Sequence, residues 1–215
     1  MNWTWIANNT GLIGTALGQH LVLALIPVLA SFVLSIPIGL LVFRARSAAN
    51  VFLAIFSAIY SIPSLALFVV LPLALGTRIL NPLNVIVALT IYTTALLARS
   101  VYDGLRDVPA DVKQAADAIG YGPGRRFFGV ELPLAMPVIF AGLRVATVSN
   151  IALTSISVLI GTPSLGSLFD QGFTQGFLTP VWVGLILSIV VAVLADLVIL
   201  IIQRSTLPWV RGVPA

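Results

Sequence analysis

Few residues in this chain have side chains suited to covalent or metal chemistry. Cysteine is absent, which removes thiolate nucleophiles, disulfides and thiolate-ligated metals. His20 is the single histidine and Lys113 the single lysine. One imidazole excludes a His-rich metal site. A Ser–His–Asp triad would have to recruit His20, which stands just before the first apolar run and reads more simply as a polar residue marking a helix end. With Lys113 as the only lysine, no phosphate-cradling Gly-x-x-x-x-Gly-Lys-Ser/Thr loop exists. Any energy from ATP must therefore arrive through a partner.

Polar residues inside apolar stretches are the other candidates. Thr147, Asn150, Thr154 and Ser157 recur every three or four positions, so they share one helical face that Gly161 continues. Such a face either lines a translocation path or packs one helix on another, a common use of small hydroxyl residues in membranes. Asn150 is the one amide within an expected span core. Arg99, Arg144 and Asp196 fall in the expected cytoplasmic portions of their spans, where snorkelling lowers the cost of a charge. Asp196 is expected to pair with one of the two arginines as a structural tie. One acid beside basic partners makes a poor proton relay.

The elements that hold these residues follow from composition. Of 215 residues, 59% are apolar and only 8% charged, against about a quarter charged in a soluble domain. A disordered or nucleic-acid-binding chain fails on the same ground despite a formal net charge of +4. A bilayer core about 30 Å thick takes roughly 20 apolar residues per helix. Five stretches qualify: 21–43, 51–75, 83–101, 137–160 and 181–202. The second holds Pro63 at its middle and Pro72 near its end, and reads as one kinked helix, with two re-entrant pieces as the other option. The expected fold is therefore all-α, a polytopic membrane protein with about five transmembrane helices.

Basic residues set the direction of these spans. None precedes His20, Arg44 and Arg46 follow the first span, Arg78 stands alone after the second, and the long fourth connector holds Arg106, Lys113, Arg125 and Arg126. The tail carries Arg204 and Arg211. This alternation predicts an N-terminus outside and a C-terminus inside. Trp3, Trp5, Trp182 and Trp209 all lie outside the span cores, consistent with interfacial anchoring. Residues 1–20 are then an extracytoplasmic tail, 21–202 the transmembrane domain and 203–215 a cytoplasmic tail. No basic region precedes the first span, so no cleaved signal peptide is expected.

Residues 103–136 form the one long excursion and carry nine of the eighteen charges. The run Asp-Val-Pro-Ala-Asp-Val-Lys-Gln-Ala-Ala-Asp-Ala-Ile-Gly, 107–120, predicts a short helix. Asp107 is its expected cap, Pro109 suits its first turn and Asp111 lies near its positive end. Ala115 and Ala116 offer a small-sided surface that another backbone can approach. Gly120-Tyr-Gly122-Pro123-Gly124 ends the helix. Arg125 and Arg126 follow beside Phe127 and Phe128. Docking onto a cytosolic protein accounts for these features better than a solvated loop does.

Here a resemblance enters. Gln114-Ala115-Ala116, three residues, Gly120, nine residues and Val130-Glu131-Leu132-Pro133 resemble the EAA loop of ABC importer permeases, with Gln114 where that family usually has glutamate. The resemblance implies a type I ABC importer transmembrane domain in a bacterial cell membrane, with the segment from Gln114, Ala115, Ala116 and Asp117 to Gly120, and Arg125 and Arg126, engaging an ATPase subunit. Ile62-Pro-Ser-Leu-Ala-Leu67, Glu131-Leu-Pro-Leu-Ala-Met-Pro137 and Gly142-Leu-Arg144-Val-Ala-Thr147 are similar to the permeases of osmoprotectant importers, which carry glycine betaine, choline or carnitine. Gly161-Thr-Pro-Ser-Leu-Gly166 departs from the Gly-Gly-Leu-Gly stretch frequent in them.

The resemblance implies two ATPase subunits, a second permease that is either a copy or a paralogue, an extracytoplasmic binding protein, and ATP with magnesium held on the ATPase rather than on this chain. Substrate selection would rest mainly with the binding protein, and alternating access would follow from ATPase closure. Between the fourth and fifth spans, Phe169, Phe173 and Phe177 lie four apart in a Gly-rich loop. They suit either an interfacial turn or a binding-protein surface. Alternatives are an ABC permease for another small solute such as an amino acid, a secondary transporter, and an integral membrane enzyme. The last two lack the inverted repeats, midplane ionisable groups or acid–His–Ser clusters they would require.

Overall fold

The computed structural model describes residues 1–209, and its regular elements are all helical. The first two are α1, Trp3–Asn8, and α2, Thr10–Arg44. After α2 come α3, Ala49–Ser61, and α4, Ser64–Leu75. Next are α5, Pro82–Arg106, α6, Ala110–Ala118, and α7, Pro123–Arg126. A π-helical turn, Phe127–Glu131, leads from α7 into α8, Leu132–Thr154. A 3₁₀ segment, Ser155–Ile160, then precedes α9, Gly166–Thr174, and α10, Leu178–Thr206. Arg211 lies outside the described residues.

Four helical stretches are long and apolar enough to cross a bilayer: Thr10–Arg44, Pro82–Arg106, Pro123–Ile160 and Leu178–Thr206. The second expected span differs from the single kinked helix predicted for it. It is two helices bent by 100°. Ile62 is extended at ψ 131° and Pro63 at ψ 129°, because a proline disfavours helical geometry in the residue before it. At 1.5 Å per residue each piece is only about 20 Å long, so neither crosses the bilayer core alone.

The N-terminal boundary also differs. Residues expected to form a tail up to position 20 are helical, and α2 begins at Thr10. His20 is consequently no helix-end marker; it lies inside α2 and is fully buried. The cause is tertiary: Ala16, Ile13 and Leu17 pack on Leu165, Leu168 and Val183, and this burial outweighs the helix-weakening glycines 11, 14 and 18. The α1 helix is fixed by its N-cap and by Trp5. Asn2 accepts from the Trp5 backbone N–H and donates its own N–H to Thr179 Oγ1 at 3.0 Å, while Trp5 meets the Phe177 ring edge-to-face at 6.1 Å.

The α5 helix is the centre of the bundle. Val85, Ala88, Leu89, Leu97, Ala98, Val101 and Leu105 are buried along it, against α2, α8 and the α3–α4 pair. Without a hydrophobic drive between helices in lipid, close backbone approach supplies the packing. Gly39 of α2 shows this: a Cβ there would stand 2.5 Å from the Val101 Cβ and 2.8 Å from the Ala98 carbonyl. By contrast α10 turns Ile186, Ile189, Val193, Leu197 and Ile201 outward, the composition of a lipid-facing helix.

Candidate functional site

The loop between α5 and α8 supplies the most specific geometry. The α5 helix runs on to Arg106, so Asp107 closes α5 by donating its N–H to the Asp103 carbonyl. The expected cap of the loop helix is thereby corrected: Pro109 stands at the N-cap of α6, and no side chain caps it. Asp111 does lie in the first turn. At the far end Gly120 takes φ +85°, and the Tyr121 N–H reaches back to the Ala116 carbonyl at 3.0 Å. This is a Schellman-type stop, for which a glycine avoids the left-handed penalty.

The helix so delimited has two faces. Gln114, Ala115, Asp117 and Ala118 are exposed, and Ala116 is buried against the rest of the loop. The alanine pair therefore divides its labour: Ala115 offers surface and Ala116 anchors. Ile119 and Phe128 stand 72% and 71% exposed, two large apolar side chains beside a polar helix. Sequence reasoning missed Ile119, although an apolar residue directly before the terminating glycine is the signal that could have found it.

Arg126 organises the return to the bundle. Its Nη1 donates to Asp117 Oδ2 at 2.6 Å and its Nε donates to Glu131 Oε1 at 2.6 Å. These bonds, that to Asp117 foremost, raise the Arg126 guanidinium above its ordinary value. Glu131 is buried, and sequence reasoning gave it no ionic role. Residues five apart do not face each other on an α-helix, but the π-helical turn from Phe127 to Glu131 brings the pair together. Arg125 stacks over the Tyr121 ring, 4.4 Å from its centroid. Lys113 sits 5.1 Å from the Phe43 ring centroid and donates to the Leu105 carbonyl.

The α8 stripe is built differently. Thr147, Asn150, Thr154 and Ser157 are all buried within the chain. The Thr147 hydroxyl donates to the Leu143 carbonyl and Thr154 to the Asn150 carbonyl. Ser157 donates to the Thr162 carbonyl. Asn150 bridges three helices: its Oδ1 accepts from Thr93 at 2.9 Å and its Nδ2 donates to the Ala24 carbonyl at 3.4 Å. The polar cluster reaches the surface one position away. Asn150, Thr93 and Ser149 line a shallow cleft with Tyr60 and Tyr92. The two rings meet edge-to-face at 6.0 Å, and the Tyr92 hydroxyl donates to the Ile62 carbonyl left open by the α3–α4 break.

Arg144 and Asp196 form the expected tie. Nε and Nη2 of the guanidinium donate to the two carboxylate oxygens at 2.6 and 2.7 Å, joining α8 to α10. Arg99 pairs instead with Asp103, one turn along α5. At the opposite end His20 Nδ1 accepts from the Leu165 backbone N–H. Of the three spaced phenylalanines, Phe173 is 87% exposed, Phe177 packs on Trp5 and Phe169 is half-buried. Among the described residues no three His, Asp or Glu side chains gather as a metal cluster.

A helical membrane bundle with a short exposed helix at one end is the architecture of an ABC importer permease. Over 95% of this chain and 99% of the other, the fold matches a permease in inward-facing structures of the MetNI methionine ABC transporter, with TM-score 0.81 and 21% identity. The chain belongs to the family described as binding-protein-dependent transport system inner membrane component, whose pattern matches residues 31–207. It is similar to the glycine betaine/carnitine/choline transport system permease protein OpuCD of Bacillus subtilis, 31% identical over 95% of this chain and 89% of the relative. It is also 29% identical to the osmoprotectant import permease protein OsmW of Salmonella typhimurium, over 89% of this chain and 90% of that protein. The chain is thus a membrane-embedded permease subunit and not an enzyme. ATP is hydrolysed on a separate subunit, and a substrate-binding protein is a partner.

Proposed function

We propose that this chain is the membrane subunit of an ATP-driven importer for quaternary-amine osmoprotectants of the glycine betaine, choline and carnitine class. The observation that carries the substrate is the near-complete coverage of relatives so named, at 31% identity for OpuCD. The exposed Gln114, Ala115 and Ile119 surface of α6, stiffened by the Asp117–Arg126–Glu131 bridge, supports the coupling role. It docks on the ATPase, which holds the ATP and magnesium. A neutral Gln114 contributes a hydrogen bond there rather than a charge.

The loop end faces the cytoplasm, the N-terminus lies outside and the transport domain runs from the start of α2 at Thr10 to the end of α10 at Thr206. A second permease, identical or paralogous, covers the face that carries Tyr60. In a bilayer, exposed hydroxyls on a spanning surface are costly unless they meet protein or water. The path for substrate runs along that face, at the cleft where the Thr147, Asn150, Thr154 and Ser157 stripe comes closest to the surface. The stripe itself holds the helices that form the wall. At the outer end, exposed Phe173 of α9 contributes to the surface for the binding protein.

Reconstitution with the ATPase and the binding protein tests this. Glycine betaine or choline, presented with the binding protein, is expected to stimulate ATP hydrolysis. Stimulation by a different solute and by no quaternary amine would sink the substrate assignment.

A further inference from the structure

At the loop end, where α2 stops, the protein holds a cavity of about 630 Å³ that shares Arg126 and Glu131 with the bridge stiffening α6 but lies away from its exposed surface. Its membrane-side wall is Leu40 and Phe43; its polar wall is Arg44, Arg46, Lys113 and Arg126, with Glu131 as the single acid. Glu131 is already engaged by Arg126 at 2.6 Å. Arg126 also holds Asp117, and among the described residues no carboxylate forms an ion pair with Arg44, Arg46 or Lys113.

The position along the membrane normal is marked by the sequence. No Asp, Glu, Lys or Arg precedes Arg44, so the first charged residue of the chain stands where the uncharged α2 ends. That is the depth of lipid headgroups. A cation in the last turn of a helix is favourable for its own sake through the helix dipole, which accounts for Arg44. It does not account for Arg46. Arg46 holds φ +37°, a left-handed conformation that disfavours a non-glycine residue and that turns the chain from α2 towards α3. The chain keeps a long cation at a position where glycine would relax the backbone, and that cation lines the cavity.

We propose that this cavity binds the phosphate headgroup of an anionic phospholipid, with Arg44 and Arg46 as its principal cations and Leu40 and Phe43 against the start of the acyl chains. A soluble anion would gain nothing from the two apolar walls. The ATPase, docking on α6, lies on the exposed side of the loop rather than on the Phe43 side, since Ala116 and Lys113 turn inward. The site is independent of which solute is transported. Its consequence is a lipid wedged between the first span and the coupling loop, so that the inner-leaflet composition bears on the loop's position.

The test titrates phosphatidylglycerol against the purified permease–ATPase complex in neutral detergent and counts retained lipid by native mass spectrometry. Phosphatidylcholine and inorganic phosphate serve as separate arms. Phosphatidylglycerol is expected to bind in preference to phosphatidylcholine. Each surface arginine contributes about fivefold, so Arg44→Gln with Arg46→Gln is expected to weaken binding about twenty-five-fold. Arg78→Gln, at the other end of the bundle, should leave it unchanged. Arg46→Gly removes one cation while relaxing the backbone, and its expected loss of about fivefold decides the matter if the double variant fails to fold. Unchanged retention in these variants overturns the proposal. So does displacement of the lipid by equimolar inorganic phosphate, which would make the site one for a soluble anion. Binding to the free permease but not to the complex would show that the ATPase fills the cavity, and would equally overturn the proposal.

Discussion

The α5–α8 loop and the α8 stripe both concentrate polar residues, and they use them in opposite ways. In the loop, the ionic bonds of Arg126 to Asp117 and Glu131 fix a scaffold, while Gln114, Ala115 and Ile119 are left outward. In the stripe, Thr147, Asn150, Thr154 and Ser157 turn their hydrogen bonds inward, to their own helix, to α2 and α5, or to the Thr162 carbonyl just beyond. Water explains the difference. At the loop it can satisfy whatever a partner does not, whereas within the bilayer an unmet polar group has no such recourse. A polar residue in a span is therefore weak grounds for a path, and an exposed small residue on a loop helix is strong grounds for a partner.

The largest expected effect breaks the outward side of this contrast. Ala115→Glu should abolish co-purification of the ATPase and lower substrate-stimulated ATP hydrolysis at least tenfold, with the permease still monodisperse in detergent. Normal ATPase recovery would remove α6 from the interface. Next, Arg144→Leu strands Asp196 between α8 and α10. A drop in melting temperature larger than that of any single stripe variant is expected, and the exchanged pair Arg144→Asp with Asp196→Arg should recover part of it.

Smaller effects probe the inward side. Asn150→Leu removes bonds to α5 and α2. Interhelical hydrogen bonds of this kind average about 0.6 kcal/mol and reach about 1.7 kcal/mol, which is roughly 1–7 °C in a chain of this size. If Asn150→Leu melts like the wild type yet changes which solutes stimulate ATP hydrolysis, the stripe is path and not wall. The mildest change is Tyr60→Phe. It should leave melting unaltered and lower transport severalfold if the Tyr60 cleft borders the path; unaltered transport would move the path elsewhere.

Much of this arrangement is legible from residue order, and the exceptions share a cause. Span positions follow from apolar runs, and the end of α6 follows from Gly120, since both are local properties. The start of α2 at Thr10 is not, because it rests on Leu165 and Leu168, more than 150 residues away. Pro63 signals a disruption but not its size; the 100° bend requires the Tyr92 hydroxyl to satisfy the freed Ile62 carbonyl. The Arg126–Glu131 bond escapes a reading at helical period because a π turn alters the spacing. Ala115 and Ala116 look equivalent as neighbours, and only packing distinguishes surface from anchor.

The short α1 helix has a mechanical consequence. Asn2 is bonded to Thr179 and Trp5 is pressed on Phe177, so the beginning of the chain is buckled to the beginning of its last helix. Near that buckle Ala16 of α2 and Val183 of α10 join one apolar cluster with Leu165 and Leu168, and further along the two helices face each other across an apolar groove that Val28 and Ile199 line. The contacts of Asn2 and Trp5 and the shared cluster tie the two helices at the buckled end. A rocking motion about this clasp would have its longest lever arm at the opposite end of the bundle, the end that carries α6.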